Sequence, residues 1–141
     1  MAAITRILAL TPLALLTLGG CGGDAAKWVG TWEGERKGLV DPSLTDNVAN
    51  GLRRIEIKIG QDGRYEMVEA GIPTKGQVHF GKERALLTVM SRMDRELTVP
   101  HQDLILEFQE DGSILYRDPN NDFPQPARLT KASATSSAAR P

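Results

Sequence analysis

The side chains able to do chemistry in this 141-residue chain are few and scattered. Cys21 is the only cysteine, so no disulfide can form within the chain and a cysteine-built zinc or copper site is excluded. His79 lies between Val78 and Phe80, where alternation turns it to solvent, and His101 follows Pro100 in a loop. Two histidines on separate elements make no metal pair, so no metal and no cofactor are expected. Asp118-Pro119-Asn120-Asn121-Asp122 opens like a calcium loop, but Phe123 and Leu129 stand where its glycine and glutamate belong. An Asx-rich turn fits that stretch better. Ser43 and the other serines lack a nucleophile-elbow setting and a histidine at a recognisable distance. Asp41, Asp46, Glu66, Glu69, Asp94 and Glu96 could supply the paired carboxylates of glycan hydrolysis. Alternation places Glu66 outside, and the others read as loop or surface charges. The expectation is a protein that is not an enzyme, with a hydrolase of envelope glycans or lipids as the minor alternative.

Cys21 gains meaning from what precedes it. Residues 1–6 carry one charge, Arg6, and 7–18 (ILALTPLALLTL) are apolar apart from two threonines and Pro12. As a helix that run would span roughly 18 Å against a bilayer core of about 30 Å. Its length and flanks suit the apolar region of a secretory signal. Leu18-Gly19-Gly20-Cys21 follows directly and resembles the lipobox of bacterial lipoproteins: a branched apolar residue, two small residues, then cysteine. The resemblance implies cleavage before Cys21, a diacylglycerol thioether on its sulfur and an acyl chain on the new amine. Two or three chains hold a protein on a membrane where one does so only marginally. Gly22 occupies the position where aspartate marks inner-membrane retention in enterobacterial lipoproteins. The resemblance therefore implies the cell envelope, and the outer membrane if the cell has two.

The domain plan is a signal peptide at 1–20, a lipidated, flexible Gly/Ala tether at 21–27, a folded domain at 28–131 and a disordered tail at 132–141. The chain carries 17 basic and 18 acidic residues. Without the leader, and so without Arg6, 16 basic and 18 acidic remain, a net charge of −2. No basic stretch is long enough to track a phosphate backbone, so nucleic acid is not an expected partner.

From Trp28 onward the pattern alternates with a period of two, predicting strands near 28–36, 52–60, 64–70, 76–80, 84–92, 102–109, 113–118 and 127–131. Face matching sets two hairpins. A three-residue loop at Gln61-Asp62-Gly63, with Gly63 left-handed, puts Ile59 opposite Tyr65 and Ile57 opposite Met67. The same loop at Glu110-Asp111-Gly112 puts Phe108 opposite Ile114 and Leu106 opposite Tyr116. Asp41 or Ser43 could cap a short helix running to Asn50 and ended by Gly51. The predicted fold is all-β, a small antiparallel up-and-down barrel of about eight strands, with an open sandwich as the alternative.

Gly30-Thr31-Trp32 at the start of the first strand resembles the Gly-x-Trp signature of lipocalins and related calycin barrels. The resemblance implies that Trp32 plugs one end of the barrel and that an arginine near the last strand, here Arg128, packs across it. Alternation gives an interior set of Trp32, Ile57, Ile59, Tyr65, Met67, Phe80, Leu106, Phe108 and Tyr116. These residues either line a cavity for a small apolar ligand or fill a core, and an eight-stranded barrel is just wide enough for side chains to fill. Three functions follow: a barrel that binds a small hydrophobic ligand or an envelope protein, an interaction module with a filled core, or the hydrolase.

Overall fold

The computed structural model describes residues 23–37, 43–120 and 125–133. Cys21, the lipobox and residues 134–141 lie outside them. Eight antiparallel strands close into one up-and-down barrel in chain order. They are β1 (Gly30–Glu35), β2 (Arg54–Ile59), β3 (Arg64–Glu69), β4 (Ile72–Phe80), β5 (Arg84–Arg92), β6 (Arg95–Phe108), β7 (Ile114–Arg117) and β8 (Ala127–Lys131). Closure comes from β1 pairing with β8, with Trp32 opposite Lys131 and Gly34 opposite Leu129. The open sandwich is thereby excluded.

Both hairpins adopt the register that their faces demand. Ile59 pairs with Tyr65 and Ile57 with Met67. Phe108 pairs with Ile114 and Leu106 with Tyr116. Gly63 and Gly112 sit at φ +75° and +80°. The aspartate before each glycine accepts a hydrogen bond from the amide two residues on: Arg64 to Asp62 at 3.1 Å and Ser113 to Asp111 at 3.0 Å. The Ser113 hydroxyl donates to the same Asp111 oxygen at 2.6 Å, and these bonds hold the Asp111 carboxyl below its usual range. An added Cβ would meet nothing within 4 Å at Gly112 and nothing closer than 3.7 Å at Gly63. Gly63→Ala and Gly112→Ala should therefore each cost about 1 kcal/mol through backbone strain alone. Urea unfolding of the two variants checks this, and a midpoint unchanged in both would refute it.

Several boundaries differ from the sequence expectation. The helix is α2 (Asp46–Arg53), following α1 (Gly23–Ala26). Thr45, rather than Asp41 or Ser43, occupies the N-cap position, and its side chain makes no capping bond. The helix runs through Gly51 and passes directly into β2, so Leu52 is helical. Ala49 is the buried anchor of α2, while Val48 and Leu52 stay exposed. β4 and β6 both begin earlier than predicted and include Pro73 and Pro100. In β6, Glu96 pairs with Ser91 and His101 with Val89, so residues 97–100 bulge opposite Met90 and the missing Pro100 N–H breaks no regular ladder. The predicted tether is described only from Gly23 on. Gly23–Ala26 is helical, the Trp28 amide bonds Ala25 O at 3.0 Å, and Trp28 is fully buried. At the other terminus Ala132 donates to Thr31 O at 2.8 Å, so the folded part extends one residue past 131.

Candidate functional site

The interior has an apolar body and two differently built ends. Trp32, Ile57, Ile59, Tyr65, Met67, Leu106 and Tyr116 join one buried cluster, and Phe80 and Phe108 pack against it partly exposed. Alternation also delivers Ile55, Leu87, Leu104, Ile114 and Leu129 to the same cluster. Ile57, Leu87, Leu106, Ile114, Tyr116 and Leu129 each show 0 % exposure, so their side chains border no space that admits water.

One end is closed by two tryptophans. The Trp32 indole donates to Trp28 O at 2.8 Å, and the Trp28 indole donates to Gly81 O at 3.1 Å. Phe108 stands edge-on to both, at 5.4 Å from Trp28 and 6.2 Å from Trp32. Gly30 opens β1 at φ +129°. The expected partner of Trp32 requires correction. Arg128 is exposed and ion-paired with Asp111 at 3.2 Å on the outer wall, because Ala127 and Leu129 take the inward positions of β8 and force Arg128 out. The cation over Trp32 is Lys131, 5.4 Å from the ring centroid and two residues on from the inward Leu129. Lys27 covers Trp28 and Phe108 from the outside and bonds the Lys82 carbonyl.

The other end holds a largely buried polar trio of Arg36, Glu69 and Tyr116, of which sequence reading placed Tyr116 inside and Glu69 among the surface charges. Glu69 follows Tyr65 and Met67 on the inward face of β3, and Arg36 follows Trp32 and Gly34 at the end of β1. Arg36 Nε donates to Glu69 Oε1, and the Tyr116 hydroxyl donates to Glu69 Oε2 at 2.8 Å. The guanidinium lies 5.1 Å from the Tyr116 ring centroid. Arg36 is 5 % exposed. Burial, then the charge and hydrogen bond of Glu69, push the Tyr116 phenol far above its usual range. The phenol thus remains a neutral donor, and both carboxylate oxygens of Glu69 are engaged. The trio ties β1, β3 and β7 together across the barrel.

The remaining candidates stay apart. His79 is exposed and shares a 3.1 Å contact with Thr88 Oγ1, and His101 is exposed in β6. Asn120 N donates to Asp118 Oδ1 at 2.9 Å, as an Asx turn requires, and 121–124 lie outside the described residues. Among the described residues no three His, Cys, Asp or Glu side chains gather as metal ligands. An open depression of about 690 Å³ beside Phe108 is lined by charges of both signs, Lys27 and Arg128 against Glu83, Glu110 and Asp111. No family model, curated protein or solved structure matches the chain.

Proposed function

We propose that the chain is a lipid-anchored protein of the cell envelope whose barrel is a non-enzymatic interaction module, meeting an envelope protein through its outer surface. The observation that carries this reading is the inaccessible interior wall. A cup for an acyl chain leaves its lining open to solvent or to the ligand, whereas Ile57, Leu87, Leu106 and Leu129 are at 0 % exposure. Leu18-Gly19-Gly20-Cys21 supports the anchor, and Gly22 supports the outer membrane in a cell with two.

Two experiments test the reading. Native mass spectrometry of the protein purified from cells should give the mass of the polypeptide with its own lipid and nothing more. A second, non-covalent small molecule would overturn the filled module in favour of ligand binding. Cells expressing the chain with labelled palmitate should label the wild type, and Cys21→Ser should lose both the label and membrane retention. Equal label in the two would refute the anchor.

A further inference from the structure

We infer that the molecule stands on its membrane with the Trp28 end against the lipid headgroups, so that the Arg36–Glu69 end faces away. The inference rests on lipidation of Cys21 as proposed above.

Its first support is the short covalent connection. Only Gly22 separates Cys21 from Gly23, the first residue of α1, so the two Cα atoms are at most about 7 Å apart. From Ala25 to the barrel the chain is held, and one helical turn joins Ala25 to Gly23. The Trp28 amide is bonded to Ala25 O, the Trp28 indole is bonded to Gly81 O, and its side chain is fully buried. A lipidated cysteine on a long Gly/Ser linker lets its domain tumble, but a lipid this close to a docked tryptophan does not. The nine residues of β5 extend about 30 Å, and with the tilt of a closed barrel they set the opposite end roughly 20 Å farther from the anchor.

The surfaces at the two ends agree with this placement. The loops beside Trp28 are polar and of mixed sign: Asp62 lies near Arg64, Lys82 adjoins Glu83, and Asp111 pairs with Arg128. Such loops suit a hydrated headgroup layer and give no net attraction to anionic lipid, so the anchor and not charge sets the orientation. The large exposed apolar side chains lie toward the other end. Met93, at the tip of the β5–β6 hairpin, is 64 % exposed, Val99 in the β6 bulge is 63 % and Val48 on α2 is 50 %. Of the large apolar residues exposed among the described residues, only Leu86 lies nearer the Trp28 end. Held away from the bilayer these groups do not insert, so the covalent anchor alone sets the orientation.

The test uses the full-length lipidated protein in phosphatidylcholine vesicles, some of whose lipids carry a nickel chelate on the headgroup. Cys21 is blocked by lipid, so Lys82→Cys and Met93→Cys each offer one thiol for a nitroxide. Nickel lipid should enhance relaxation several-fold at position 82 and leave position 93 near its value without nickel, in low and in high salt alike. Inserting a long Gly/Ser linker between Gly22 and Gly23 should erase the difference. Equal relaxation at 82 and 93 in protein that sediments with the vesicles, or the reverse ranking, overturns the orientation alone. Protein that does not sediment with the vesicles overturns the anchor and the orientation with it.

Discussion

Trp32→Ala should destabilise the barrel by about 3–5 kcal/mol, the range for removing a large aromatic side chain from a core that cannot collapse around the gap. Trp32 is 1 % exposed and stands opposite both Ile57 on β2 and Lys131 on β8, so its loss empties the seam where the barrel closes. The indole also donates to Trp28 O and meets Phe108 edge-on. Trp32→Phe should restore most of the apolar filling and lose only the hydrogen bond, about 1 kcal/mol. Chain closure thus makes the effect of one side chain global. The readout is urea unfolding followed by far-UV circular dichroism, because the variant keeps Trp28 as its one tryptophan. The Trp28 emission should shift to the red as its support opens. A Trp32→Ala barrel within 1 kcal/mol of wild type would remove the tryptophan plug as a structural device. The covering cation gives a sharper contrast. Lys131→Met should cost about 0.5–1 kcal/mol and couple to Trp32. Arg128→Ala should cost next to nothing, since its ion pair with Asp111 is on the exposed outer wall.

That contrast marks where sequence reading holds and where it runs out. Period-two alternation is a local property, and it locates all eight strands, though not the starts of β4 and β6, together with both Asp-Gly hairpins and most of the apolar interior. The same alternation also carries information that the residue types obscure. Tyr65, Met67 and Glu69 share a parity, as do Trp32, Gly34 and Arg36. Parity points Glu69 and Arg36 inward, but a charge at a strand end is normally solvated, so residue type argued against it. What turns them inward is the presence of each other and of Tyr116, residues 33 and 47 positions from Glu69. No periodicity reports such a meeting. Trp28 has the parity of Trp32 and is as deeply buried, yet it lies outside β1, held by α1. The Lys131 contact failed to emerge for a related reason. The resemblance to calycin barrels pointed to an arginine, whereas the structure puts Ala127 and Leu129 inward and so turns Arg128 out. The turn at Met93-Asp94 places two non-glycine residues at φ +53° and +57°, a conformation that sequence gives no reason to assign to methionine.

The second large effect is expected at the other end. Glu69→Ala should destabilise the protein by about 3–5 kcal/mol, because it strands the guanidinium of Arg36 inside the barrel without its carboxylate. It also removes the acceptor of the buried Tyr116 hydroxyl. Arg36 has 6 % of its side chain exposed and Glu69 18 %, so the guanidinium loses its carboxylate in a setting with little access to water. Glu69→Gln should fall between Glu69→Ala and wild type, since the amide oxygen still accepts from Tyr116 while the charge is gone. Tyr116→Phe should be milder, about 1–2 kcal/mol, as one oxygen of a carboxylate still held by Arg36 loses a donor. A buried ion pair is costly to break and far less costly to replace whole. Accordingly the triple change Arg36→Met, Glu69→Leu, Tyr116→Phe should lie within about 2 kcal/mol of wild type, well above Glu69→Ala alone. Urea midpoints for the three single variants and the triple measure that non-additivity directly. A triple variant as unstable as the sum of its parts would mean that Arg36, Glu69 and Tyr116 act separately.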